Sequence, residues 1–115
     1  MKDWNAIRER YLQDALPIRL GGLAANLSRV KSFASHNANG DAIASIVEES
    51  ELFIEWTAGD ADINTAAELV ELQIQLALWE RRWPQIWDNL TQRGQVAALS
   101  AMWSQRILEM SGLLS

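Results

Sequence analysis

From Leu69 to Leu90 the large apolar side chains fall at Leu69, Leu72, Leu76, Trp79, Trp83, Trp87 and Leu90, in steps of three and four. Steps of that size place them on one face of an α-helix, whereas a strand, with its period of two, would scatter them over both faces. The same spacing recurs through the rest of the chain, with almost no alternating run. A chain patterned this way hides its apolar residues by packing helix stripes against one another. Pro84 interrupts the strongest stripe, where it removes a backbone hydrogen bond and crowds the turn before it. The phase persists across it, which predicts either one kinked helix or two helices set nearly end to end.

Caps and breakers divide the remainder into five or six expected helices. Asp3 caps a first helix with Trp4, Ile7 and Tyr11 inward. Pro17 suits the first turn of a second, whose stripe is Leu20, Leu23, Leu27, Val30 and Ala34, and the polar turn from His36 to Gly40 closes it. Asp41 is the expected cap of a third helix, with Ile43, Ile46, Val47, Ser50, Ile54 and Thr57 on one face and Glu48, Glu51 and Glu55 on another. Thr65 followed by Glu68 reads as a capping box that opens the fourth. Gly94 is the expected stop after Trp87, and a last helix from about Gln95 turns Leu99, Met102, Trp103, Ile107 and Met110 inward until Gly112 ends it. The expected architecture is all-α, an up-down antiparallel helical bundle of four main helices with a short N-terminal helix, formed by residues 1–115 as a single domain.

A chain of 115 residues buries about two thirds of its unfolded surface, enough for a core without staples. It has no cysteine, which excludes disulfides, thiol catalysis and cysteine-bound metals. The net charge of −5 disfavours nucleic acid and anionic membrane as partners. The polar start Met1–Asn5 has no apolar run of a secretory signal, and Leu69–Trp79, the most apolar stretch, is broken by Glu71, Gln73 and Gln75, so a cytoplasmic protein is expected.

Charge is distributed in blocks. Residues 1–31 carry a net +3, residues 32–75 hold nine acids with no Lys or Arg, and the remainder is +1. Complementary packing of the basic second helix beside the acidic third accounts for this, as does a cation or basic partner. The best candidate ligands are Glu48, Glu51, Glu68 and Glu71, because Glu-x-x-Glu sets two carboxylates on one helical face and the pair recurs on the next helix. If those helices are antiparallel about the turn near residue 60, the four lie at one height and would suit a hard cation such as Mg²⁺ or Mn²⁺. The alternative is that they are solvated outer faces.

Six tryptophans are many for this length. Most belong to the core, yet Trp79, Trp83 and Trp87 with Arg81 and Arg82 have the composition of an interface, with a protein partner or as a homodimer. Gly21 and Gly22, costly inside a helix, predict close approach of a neighbouring helix. His36 is the only histidine, which rules against a zinc site and a di-iron site, and no serine lies in Gly-x-Ser-x-Gly.

Glu48-Glu49-Ser50-Glu51-Leu52, Glu55-Trp56 and Glu68-Leu69-Val70-Glu71 resemble the acidic helices of the MazG-like all-α nucleoside triphosphate pyrophosphohydrolases. The resemblance covers about residues 46–76 and implies that the four glutamates hold Mg²⁺, with Glu71 standing where that family usually has Asp. More of the chain, Pro17–Leu27, Phe53–Ala58 and Ala67–Gln73, resembles a group of small uncharacterised all-helical proteins of cyanobacteria, which implies a cytoplasmic origin in a photosynthetic bacterium and brings no known activity with it. The reading that follows is a non-enzymatic helical protein, without cofactor or assigned catalytic residue, that acts by binding another protein or itself. The alternative is an Mg²⁺-dependent pyrophosphohydrolase of the MazG-like kind.

Overall fold

The computed structural model describes residues 2–36 and 40–114, and these form six α-helices with no strand among them. They are α1 (Trp4–Gln13), α2 (Leu16–Ser35), α3 (Gly40–Thr57), α4 (Ile63–Arg81), α5 (Trp83–Trp87) and α6 (Leu90–Ser111), with a 3₁₀ turn at Ala58–Asp60 between α3 and α4. Asp3 caps α1 as expected, its Oδ1 accepting from the Ala6 amide at 3.1 Å, and Pro17 lies in the first turn of α2. Gly112 ends α6 in the left-handed conformation, φ 83°, which glycine adopts without strain.

Several boundaries differ from the expected ones. The turn expected at residues 36–40 falls largely on residues 37–39, outside the described residues. Asp41 lies inside the first turn of α3, a position where its charge still complements the helix dipole. In α4 the cap is Asp62, whose Oδ1 accepts from the Thr65 amide at 2.8 Å, so the helix opens before the Thr65–Glu68 pair. Aspartate is the stronger cap, and it is placed one turn earlier. Pro84 yields two helices: α4 stops at Arg81, and α5 restarts with the proline in its first turn, where the missing N–H is no loss. Gly94 does not stop anything. Asn89 caps α6, accepting from the Gln92 amide at 3.0 Å, and the helix runs through Gly94, beside which a Cβ would meet nothing within 4 Å.

Contacts between the helices join residues far apart in the chain. Ser104 of α6 donates to the Ala24 carbonyl of α2 at 2.8 Å, and the chain just past α6 returns Leu113 to Gly21. A Cβ on Gly21 would come within 2.8 Å of Leu113, and one on Gly22 would touch Tyr11 of α1, so this glycine pair admits close neighbours. Between α2 and α3, Asn26 donates to Glu49 at 3.1 Å, and Arg19 pairs with Asp60 at 3.0 Å in the turn beyond α3. Gln73 of α4 donates to the Glu51 carbonyl of α3 at 3.3 Å, and Trp83 Nε1 donates to the Gly40 carbonyl at 2.9 Å. Arg106 of α6 forms an ion pair with Glu68 of α4. Leu20, Leu23, Leu27 and Val30 of α2, Ile43, Val47 and Ile54 of α3, Leu69, Leu72 and Leu76 of α4, and Val96 and Ile107 of α6 fill the shared interior. Met102, expected inward, is exposed on α6. With a radius of gyration of 13.7 Å the chain is as compact as a globular protein of its length, ~13 Å. Among the described residues no helix is long and apolar enough to cross a membrane.

Candidate functional site

The four glutamates do not meet. Gln73 and Glu80 of α4 are the residues that reach Glu51 of α3, whereas Glu71, about 200° around the helix from Gln73, lies on the far face. Glu68 faces α6 and pairs with Arg106, whereas Glu48 and Glu71 are exposed. Among the described residues no three His, Asp or Glu side chains are close enough to hold one ion. The acid that does gather charge is Glu51. Burial in the α3–α4 seam, reinforced by a shared hydrogen bond with Glu80 and by the charges of Glu80 and Glu48, pushes its carboxyl up to about 8.

The tryptophan and arginine group divides into core and surface. Trp79 and Trp83 are buried: Trp79 continues the inner stripe of Leu69, Leu72 and Leu76, and Trp83 reaches the Gly40 carbonyl from α5. Trp83 is fixed by its bond to Gly40, and Trp87 is already engaged: Gly40 packs against its ring, and the Arg93 guanidinium lies 4.5 Å above its centre. Trp79 and Trp83 are core side chains at one end of the molecule, and Trp87 is half-buried beside them. Arg81 and Arg82 are exposed, as expected of an interface, and no ion pair holds either within the described chain.

At the opposite end a second lock closes α1 onto α2 and α3. Tyr11 stacks on Phe53, ring centres 3.9 Å apart, donates to the Arg19 carbonyl at 2.8 Å and accepts from Thr57 at 3.3 Å. Arg19 donates to the Asp14 carbonyl at 3.1 Å and pairs with Asp60. Burial pushes the Tyr11 hydroxyl up to about 12, so it is a neutral donor that closes a satisfied network.

The surface that sequence reasoning missed is the outer face of α4. Ile63, Val70, Ile74 and Leu78 are 85%, 48%, 59% and 45% exposed, and Ala67 and Ala77 lie between them. At 100° per residue these six lie opposite Leu69, Leu72, Leu76 and Trp79, so α4 is apolar on both sides. The signal was present in the Leu69–Trp79 run, where only Glu71, Gln73 and Gln75 separate apolar residues, too few polar positions for a one-sided helix. Leu78 also lines a groove of about 210 Å³ with Arg82, Ile86, Val96 and Leu99. That groove is below the ~300 Å³ at which small-molecule sites begin. No protein family, no curated protein and no solved structure matches this chain.

Proposed function

We propose that the chain acts by binding protein through the outer face of α4, not by catalysis. Its scaffold in this reading is an up-down antiparallel bundle of four main helices, α2, α3, α4 and α6, with α1 as the short N-terminal helix. One observation carries the binding role: four large apolar side chains are held in line along α4, on rigid helix, with only alanines between them. Contiguous exposed apolar surface is rare on monomers and marks contact sites, and burying each such side chain stabilises a complex by on the order of 1 kcal/mol. Arg81 and Arg82 sit at one end of the stripe as the polar rim that such contacts have. The pyrophosphohydrolase alternative requires Glu48, Glu51, Glu68 and Glu71 to converge on Mg²⁺, and no observation favours it over the binding role.

The test compares proteins retained by the immobilised chain with those retained by an Ile74→Lys, Leu78→Lys variant, after circular dichroism shows equal helix content. A specific protein held by the first and released by the second is the expected result. Identical retention by both overturns the role of this face.

A further inference from the structure

We infer that the partner of the α4 face is a second copy of this chain, laid antiparallel across the first about a two-fold axis passing between Glu71 and Leu72. The inference rests on the binding role proposed for this face and adds the identity of the occupant. Two independent features of α4 select the same register.

The first is shape. Turning a copy of α4 about that axis drops Ile74 between Ala67 and Val70 of the second copy, and Leu78 between its Ile63 and Ala67. Large side chains then fall over gaps flanked by alanine, the interdigitation that lets two helices approach closely. The stripe is self-complementary only when the helices run in opposite directions. In parallel, Ile74 would meet Ile74 and Ala67 would meet Ala67, leaving a gap at each alanine.

The second feature is charge. The six positions of the stripe from Ile63 to Leu78 carry no ionised side chain, exposed Glu71 flanks them near the axis, and the two ends carry opposite charges. At the N-terminal end stands the exposed carboxylate of Asp62, its pKa lowered chiefly by the hydrogen bond from the Thr65 amide. At the C-terminal end stand exposed Arg81 and Arg82, neither in an ion pair within the described chain. The antiparallel register brings Arg81 of each copy over Asp62 of the other, forming two symmetric pairs, while a parallel pairing would set arginine on arginine. Isologous pairing of this kind closes as a dimer and leaves no free stripe for further growth.

Sedimentation of the full chain over a wide concentration range tests this directly. A species of twice 12.9 kDa is expected. Ile74→Lys, which changes an exposed residue, should weaken self-association by about a hundredfold, since it acts on both sides of the axis. Arg81→Glu should weaken it less and remove most of its salt dependence. Because the chain has no cysteine, direction can be read from single introduced thiols. Val70→Cys, close to the axis, should cross-link to itself under mild oxidation, and Ile63→Cys, at the far end, should not. Efficient self-cross-linking of Ile63→Cys overturns the antiparallel arrangement. A wild-type chain that remains monomeric at every concentration overturns the second copy as occupant. In that case a protein still lost from the Ile74→Lys, Leu78→Lys variant leaves the binding role of the face standing, and equal retention by both removes that role as well.

Discussion

The two faces of α4 are built from the same kinds of residue and meet opposite fates. Leu69, Leu72 and Leu76 are fully buried, while Ile63, Val70, Ile74 and Leu78, interleaved with them in sequence, are left in water. The inner face is saturated, because α3 and the shared core surround it and nothing could be added without displacing a neighbour. The outer face has the hydrophobicity of a core and none of its neighbours. Burial here is decided by what the other helices reach, and α3 reaches one side of α4 only. The difference teaches that an apolar stripe can be a structural element or an interface, and that the identities of its residues do not say which.

Truncations separate the two faces most sharply. Leu72→Ala, which leaves a cavity in a closed interior, should cost about 2–5 kcal/mol of unfolding free energy. Ile74→Ala, measured in the same denaturant titrations at a concentration where the chain is monomeric, should change it by less than about 0.5 kcal/mol. A large loss at Ile74 in the monomer would mean that the outer face is packed after all. The next effect lies at the end of the inner face. A Cβ on Gly40 would sit 2.9 Å from the ring of Trp87, so Gly40→Ala should cost about 1–3 kcal/mol by forcing that ring and the Trp83 lock to shift. Tryptophan fluorescence should report the shift, because these two indoles touch.

The smallest effect belongs to the seam between the faces. The Glu51 carboxyl, ordinarily near 4.5, is pushed up to about 8 by burial and then by Glu80 and Glu48. The unfolded chain gives up this proton near pH 4.5 and the folded chain keeps it to about pH 8, so folding takes up a proton in that window and stability falls as pH rises through it. Glu51→Gln should therefore leave stability unchanged at the acid end and raise it progressively towards pH 8, by on the order of 1 kcal/mol once solvent screening is allowed for. Melting curves of both proteins across that range check the sign. A gain of equal size at acid pH would assign the effect to packing instead of charge.

The inner stripes were legible because they rest on local periodicity alone. Leu20, Leu23, Leu27 and Val30 lie on one helical face at any tertiary arrangement, and all four are buried. Gly112 was legible for a similar reason, since a left-handed residue after a long helix has few rivals to glycine. Gly94 carried the same letter and no such meaning, because Asn89 had already capped a helix that ran through it. The four candidate glutamates illustrate the harder case. Each lies on the helix expected of it, but Glu51 meets Glu80 because the side of α4 turned to α3 carries Gln73 and Glu80, and Glu71 lies about 180° from Glu80.

Sequence by itself determined that the chain is helical, where most helices start and stop, and which side chains form each inner stripe, because these follow from caps, breakers and a period of 3.6 residues acting over a few turns. Tertiary structure alone decided which side of α4 faces α3, the bond that fixes Trp83 to Gly40 and the exposure of the second apolar face of α4. Those outcomes depend on contacts between residues far apart in the chain, such as Trp83 with Gly40 and Arg106 with Glu68, and the spacing within any one helix carries no record of them.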